Sequence, residues 1–97
     1  MMLAVKPAWW TSDHWATPPD VMKKIESVFG RFDLDPCCRL ETAKAALCYT
    51  EQDDGLAQEW HGKVFLNPPY SKPAPWLKKA LVEVETCHAK IVVALLP

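Results

Sequence analysis

The segment from Val64 to Leu96 constrains the fold most, because it holds two apolar runs on either side of an amphipathic helical pattern. Residues 64–66 are a short run that stops at two prolines, whereas residues 91–96 are unbroken, as in a parallel strand covered on both faces. Apolar residues between the runs recur at helical spacing. This order predicts a strand–helix–strand unit of a parallel α/β sheet, with a right-handed crossover. The helix's apolar face consists of Trp76, Leu77, Ala80, Leu81 and Val84, whereas Lys78, Lys79, Glu83 and Glu85 lie largely on its other faces.

The first half of the chain predicts one further helix. Thr17 is a good N-cap residue, Pro18 suits the first helical position, and Gly30 stands where a glycine after a helix is expected. Residues 1–12 are expected to form a leader outside the folded domain. The apolar face of this helix is predicted to consist of Val21, Met22, Ile25, Val28 and Phe29.

Two shorter strands are predicted between the helices. Residues 31–35 alternate between polar and apolar side chains and then meet Pro36, so a strand should end near Asp35. Residues 47–50 predict a second strand. The remaining pieces are at most a helical turn over residues 41–46, a turn over residues 51–55, a short helical piece over residues 56–60 and a turn at residues 61–62.

The composition bounds the class of protein. The 97 residues allow one small domain, and the net charge of −1 gives no overall basic field, so a nucleic-acid partner has to be met by local Lys and Arg. No apolar run approaches the roughly 20 residues of a membrane span, and nothing resembles a signal peptide. We expect the four cysteines to be reduced thiols that mostly pack. A zinc site lacks normal ligand spacing and would need Cys37, Cys38, Cys48 and His88.

The corner that follows residues 64–66 carries a chemical signal. Proline cannot donate to a strand ladder, so Asn67-Pro68-Pro69-Tyr70 predicts a rigid turn at a strand's carboxyl end, where open α/β sheets bind ligands. The Asn67 side-chain oxygen and the Pro68 carbonyl can accept hydrogen bonds from a planar exocyclic amine, and Tyr70 can stack on its ring. The pattern indicates methylation of such an amine. The alternative is a proline-rich turn with a half-buried tyrosine.

Three local features occur in one order: Thr17-Pro18-Pro19 opens a helix, Leu34-Asp35-Pro36-Cys37 ends a strand, and Asn67-Pro68-Pro69-Tyr70 ends a later strand. With their spacing, the chain resembles the phage-type DNA N6-adenine methyltransferases. The resemblance extends over residues 13–97 and includes Asp54-Gly55-Leu56 with Trp60. It implies a partial Rossmann-like methyltransferase fold with a mostly parallel sheet in residues 13–97. Further strands, which the family carries after its Leu-Leu-Pro segment, are expected to be missing.

The resemblance also implies S-adenosylmethionine as the methyl donor. Thr17 and Pro18 would lie near its methionine end, where a helix N-terminus favours a carboxylate; this is compatible with Thr17 as a plain N-cap. Asp35, followed by Pro36, would accept hydrogen bonds from the donor's ammonium group or ribose. An Asp that makes an Asx-turn before proline is the alternative for Asp35.

The usual glycine-rich loop after the first strand is missing, so the turn after Asp35 would have to hold the cofactor instead. Asp54 is a candidate contact for the adenine amine of the cofactor, although a simple turn fits Asp54 better. Glu51 is a weaker candidate for the ribose hydroxyls.

By the same resemblance, Asn67, Pro68, Pro69 and Tyr70 are the catalytic residues, and Tyr70 and Lys72 would contact double-stranded DNA with a flipped adenine. No metal or membrane partner is implied, and the compartment would be the cytoplasm of a bacterial host. The corner suits cytosine N4 or a protein glutamine amide as well. A remnant that only binds a partner is a further alternative, and the target sequence and oligomeric state stay open.

Overall fold

The computed structural model describes residues 2–5, 19–38, 45–69 and 71–96 of the chain. Within these ranges, five strands form one sheet and two α-helices accompany it. The strands are β1 (Met2–Val5), β2 (Phe32–Asp35), β3 (Ala45–Cys48), β4 (Gly62–Leu66) and β5 (Ala89–Leu95). The helices are α1 (Pro19–Phe29) and α2 (Ala74–Glu85), and a short 3₁₀ helix covers Glu51–Asp53.

The sheet has the order β1-β5-β4-β2-β3, and every described pair of neighbouring strands is parallel. The predicted α/β class with a parallel sheet is therefore confirmed. The leader expectation was wrong for Met2–Val5, which pairs along β5 from Met2 opposite Val92 to Val5 opposite Leu95. An apolar strand such as β5 needs a neighbour on each edge to satisfy its backbone, and β1 supplies the one that β4 does not. Residues 6–12 lie outside the described part.

The helices cover opposite faces of the sheet. Side chains alternate along β4 and β5, so Val64 packs with the α2 side and its neighbour Phe65 with the α1 side. The α1 side buries Met22, Ile25, Phe32, Phe65, Val93 and Leu95. The α2 side buries Leu34, Trp60, Val64, Leu66, Ala80, Ala89, Val92 and Ala94.

The apolar face of α1 is narrower than predicted. Met22 and Ile25 are buried and Phe29 packs beside them, but Val28 is 74% exposed. At 3.6 residues per turn, Val28 lies about 90° from the centre of the stripe that the other three define, so it misses the sheet. The predicted N-cap Thr17 and first-turn residue Pro18 lie outside the described residues.

One flank of α2 also differs from the prediction. Leu81 was placed on the apolar face but is 48% exposed, whereas Glu83 was placed on a polar face but is 3% exposed. The Glu83 carboxylate can be buried despite its charge because hydrogen-bonding partners satisfy it. Lys79 lies one turn earlier on the helix, with its Nζ 2.6 Å from Glu83 Oε1, and His88 Nδ1 lies 2.6 Å from Oε2.

The cysteines and one loop require two further corrections. Cys38 and Cys48 form a disulfide with Cα atoms 5.9 Å apart, so the expectation of reduced thiols was wrong for this pair. The parallel register causes it, because Asp35 lies opposite Cys48 and the Cys38 N–H donates to the Tyr49 carbonyl (3.1 Å). Residues 56–60 form a turn, a bend and an irregular stretch rather than a helical piece. None of the described helices combines the length and apolarity that crossing a membrane requires.

Candidate active site

The direction of the strand order changes between β2 and β4. These strands are neighbours, but the chain runs on from β2 to β3 on one side of the pair and from β4 to β5 on the other. Such a reversal leaves a crevice outside the carboxyl ends of parallel strands, where ligands usually bind. Leu34 lies opposite Val64, so β2 and β4 end at nearly the same level. The predicted residues Asp35 and Asn67 are therefore brought to one edge of the sheet.

Prolines build the corner after β4. Pro68 is fully buried, and Asn67 and Pro69 on either side of it are half-buried. The Lys72 N–H donates to the Pro69 carbonyl (3.2 Å), which closes a turn before α2. Because proline fixes its own φ, this connection has little freedom and holds Asn67 at the strand's carboxyl end. Tyr70 lies outside the described residues, so its stacking role stays a prediction.

The corner after β2, residues 35–37, is buried and acidic, and we call it the acidic turn. Asp35 is 3% exposed and Pro36 is fully buried; the Asp35 carbonyl accepts a hydrogen bond from the Tyr49 N–H (2.9 Å). Burial, followed by the negative charges of Asp35 and Glu51, raises the pKa of the Cys37 thiol to about 12. Cys37 is therefore a protonated thiol at neutral pH, and two carboxylates act on the same turn.

The loop between β3 and β4 folds onto the acidic turn at Gly55. A Cβ atom on Gly55 would overlap the Pro36 carbonyl oxygen and would lie 3.1 Å from the Trp76 ring. Asp54, just before it, is exposed and has a left-handed φ of 55°. Its carbonyl accepts a hydrogen bond from the Ala57 N–H (2.9 Å), so Asp54 takes part in a turn, and its contact with the cofactor stays a prediction. Because Gly55 touches Pro36, its neighbour Asp54 also lies beside the acidic turn.

Comparison with known proteins decides the family. The sequence profile described as "DNA N-6-adenine-methyltransferase (Dam)" matches residues 8–97. The chain belongs to the Dam family. A "DNA N-6-adenine-methyltransferase" of Escherichia phage T1 is 36% identical over 88 residues, which cover 88% of this chain and 36% of the relative. One of Haemophilus phage HP1 (strain HP1c1) is 37% identical over 86 residues, which cover 87% of this chain and 49% of the relative.

The length of a third relative is closer to that of this chain. The "Putative methyltransferase YfdM" of Escherichia coli (strain K12) is 38% identical over 71 residues, which cover 66% of this chain and 74% of the relative. This chain spans half or less of the two phage relatives, so the activity of a whole family member is proposed below rather than carried over. No solved structure matches the chain.

The sequence did not predict a polar cluster that supports the site of this Dam-family chain from the α2 side. Burial acts to raise the pKa of the Glu83 carboxyl, but hydrogen bonds from Lys79 and His88 outweigh burial and hold that pKa below its ordinary value. The Trp60 N–H also donates to Glu83 (3.4 Å). The spacing of four between Lys79 and Glu83 was a readable signal of an ion pair, whereas nothing in the pattern pointed to His88.

The remaining predicted site residues are placed as follows. Lys72 is exposed on the turn that follows the Asn67 corner. On α2, Lys78 is also exposed, whereas Lys79 pairs with Glu83. Thr17 and Pro18 lie outside the described residues, so their roles stay predictions. Among the described residues, no group of three or more His, Cys, Asp and Glu side chains could hold a metal ion.

Proposed function

We propose that this chain forms the core of an enzyme that transfers a methyl group from S-adenosylmethionine to the N6 amine of adenine in DNA. The observation that carries the proposal is the position of Asn67 and Pro68 at the end of β4, beside the acidic turn at the end of β2. Family membership supports the same reaction. The acidic turn would bind the methyl donor, and the corner at Asn67 would bind the accepting amine.

The residues of the acidic turn fit the methyl donor chemically. S-adenosylmethionine carries a sulfonium and an ammonium cation together with ribose hydroxyls, and it supplies an electrophilic methyl group when bound. The negative charges of Asp35 and Glu51 both raise the pKa of Cys37 in the acidic turn, and Asp54 lies beside that turn. Carboxylates favour a cation and accept hydrogen bonds from hydroxyl and amine groups. Thr17 and Pro18 would contribute at the carboxylate of the donor's methionine end.

Asn67 and Pro68 prepare the accepting amine. Its lone pair is delocalised into the base, so the amine is a poor nucleophile until it is held correctly. The Asn67 side-chain oxygen and the Pro68 carbonyl would accept its two N–H groups, hold the nitrogen in line with the methyl group and stabilise the positive charge that develops on it. Direct transfer needs no covalent intermediate on the chain, and the protonated Cys37 thiol is in keeping with that.

Binding of DNA would depend on local contacts. With a net charge of −1, the chain has no overall attraction for a polyanion, so exposed lysines near the corner would meet the phosphates. Lys72 lies directly after the corner and is exposed. Tyr70 would stack on the flipped adenine.

The experiment is transfer of a deuterated methyl group from labelled S-adenosylmethionine to genomic DNA from a methylation-deficient host, followed by nucleoside mass spectrometry. Label in N6-methyladenine supports the proposal. Label in N4-methylcytosine would replace adenine by cytosine as the substrate, and label in a protein glutamine of a host extract would move the reaction away from DNA. Absence of label from all three would overturn the proposed enzyme in favour of a binding remnant. Lys23→Ala, at an exposed position on α1, is the control that should keep full transfer.

A further inference from the structure

Trp60 is fully buried although the residues on either side of it, Glu59 and His61, are exposed. Its indole Nε1–H donates a hydrogen bond to the Gly55 carbonyl at 2.8 Å. Its backbone N–H faces the buried Glu83 carboxylate on α2. Trp60 is therefore fixed by polar contacts at both its backbone and its ring.

The ring of Trp60 is also held against α2. Trp60 and Trp76 stack with their ring centroids 6.3 Å apart and their planes 22° apart. Lys79 Nζ lies 6.0 Å from the Trp60 ring centroid. These contacts come from a helix that packs on the sheet. They therefore fix the orientation of the Trp60 ring, and its indole N–H is directed at Gly55.

Gly55 is the residue that receives this hydrogen bond and also the residue that touches the acidic turn. A Cβ at Gly55 would overlap the Pro36 carbonyl oxygen, so the backbone of residue 55 lies directly on that turn. Of the chain's three glycines, the other two have their nearest neighbours in Lys63 and Asp33, away from the acidic turn. Gly55 is thus the glycine that reaches the candidate cofactor site in a chain without a glycine-rich loop.

We propose that Trp60 is a positioning residue for the methyl-donor site: its indole N–H holds the Asp54–Gly55 turn against the Asp35–Pro36 turn. The inference rests on the proposed function, because it assigns both turns to the cofactor. It gives Trp60 more than a packing role, since a tryptophan that only filled the core would stabilise the fold without setting cofactor affinity. Trp60 does not touch the reacting atoms and acts through Gly55.

The test compares Trp60→Phe with Val92→Ala in the full chain. Phe keeps an aromatic ring at position 60 and removes the N–H donor, whereas Val92 is fully buried in the same cluster on β5, so its truncation lowers stability without touching the loop. Affinity for S-adenosylmethionine is measured by calorimetry at a temperature at which both variants are folded, and hydrogen exchange reports on the amides of residues 54–57. One neutral hydrogen bond corresponds to a change of roughly tenfold in affinity.

We expect Trp60→Phe to weaken binding of S-adenosylmethionine about tenfold and to speed exchange at residues 54–57. Val92→Ala should lower the melting temperature and leave both readouts within about twofold. If Trp60→Phe does not fold, a benzothienylalanine introduced at position 60 by ligation keeps the ring volume and replaces the N–H donor by sulfur. Equal affinity in the Trp60 variants and the unaltered chain would overturn this inference alone. Failure of the unaltered chain to bind S-adenosylmethionine would overturn the proposed function and this inference with it.

Discussion

Gly55 lies so close to the main-chain oxygen of Pro36 that no Cβ fits between them. This contact joins the loop before β4 to the end of β2, and it brings Pro36 and Gly55, nineteen positions apart in the sequence, into one site. We expect Gly55→Ala to lower the free energy of unfolding by about 1–3 kcal/mol, as overpacking does, and to weaken binding of S-adenosylmethionine. Denaturant unfolding and calorimetric titration measure the two effects.

Gly30→Ala is the matched control for that substitution. Gly30 has a φ of +80° at the end of α1, so alanine is strained there by about 1 kcal/mol, but its nearest neighbour is Lys63 rather than the acidic turn. It should cost stability without changing affinity for the methyl donor. Loss of affinity in Gly30→Ala equal to that in Gly55→Ala would show that general destabilisation, not the Pro36 contact, is responsible.

Asn67→Ala should separate chemistry from cofactor binding. The substitution removes the side-chain oxygen that would accept from the adenine amine, and loss of one such acceptor in the transition state typically costs about 100-fold or more in kcat. Asn67 is half-buried at the end of β4, whereas the acidic turn follows the neighbouring strand, so the affinity for S-adenosylmethionine should stay within about twofold. Single-turnover transfer and calorimetry measure the pair. Unchanged turnover in Asn67→Ala would remove Asn67 from the mechanism.

Glu83 should make the fold sensitive to acid. Burial acts to raise the pKa of its carboxyl, but the hydrogen bonds from Lys79 and His88 hold it below the ordinary 4.5. A carboxyl with a lowered pKa stabilises the folded state above its unfolded pKa, and this contribution is lost as the pH falls through the folded pKa. We expect Glu83→Gln to destabilise the chain most at neutral pH, with the difference from the unaltered chain shrinking below pH 4.5.

Urea unfolding between pH 3 and pH 7 measures this difference. Glu85→Gln is the control, because Glu85 lies on the same helix and is exposed. It should change the free energy of unfolding only slightly, because an exposed charge contributes little to stability. A Glu83→Gln difference that stayed constant down to pH 3 would mean that the Lys79 and His88 contacts do not set the charge of this carboxyl.

The Cys38–Cys48 disulfide should stabilise the two strands beside the acidic turn. It closes a loop with a sequence separation of 10, so its reduction is expected to lower the free energy of unfolding by about 2–4 kcal/mol. Cys48→Ser lacks the disulfide, so its free energy of unfolding should be lowered by the same amount with and without reductant. Cys87→Ser changes an exposed free cysteine and should behave as the unaltered chain does. Equal melting temperatures of the unaltered chain with and without reductant would contradict the assignment.

The sequence predicted the helices and strands that are marked by regular hydrophobic spacing or by a proline at their ends. The helices from residue 19 and from residue 74 and the strands that end at Asp35 and Leu66 were predictable, because periodicity and proline mark them locally. The importance of Asp35 and Asn67, each at the carboxyl end of a strand, followed from the general rule that ligands bind at that end of parallel strands. The family resemblance then supplied the chemistry.

Long-range contacts account for what the sequence did not predict. Nothing local shows that Met2–Val5 pairs with β5, that the buried Glu83 pairs with His88, or that Cys38 bonds to Cys48 across parallel strands. The Gly55–Pro36 contact is of the same kind, because a glycine required by close approach resembles a glycine in any turn. Local pattern favours the commonest environment of each residue, and tertiary pairing overrides it at these positions.

The most direct measurement is nucleoside mass spectrometry of DNA from a methylation-deficient host that expresses this chain, side by side with the same host expressing Asn67→Ala. We expect N6-methyladenine above background with the unaltered chain and at background with the variant. Equal N6-methyladenine from both, or none from the unaltered chain, would contradict the assignment of Asn67 and its neighbouring prolines to methyl transfer onto adenine.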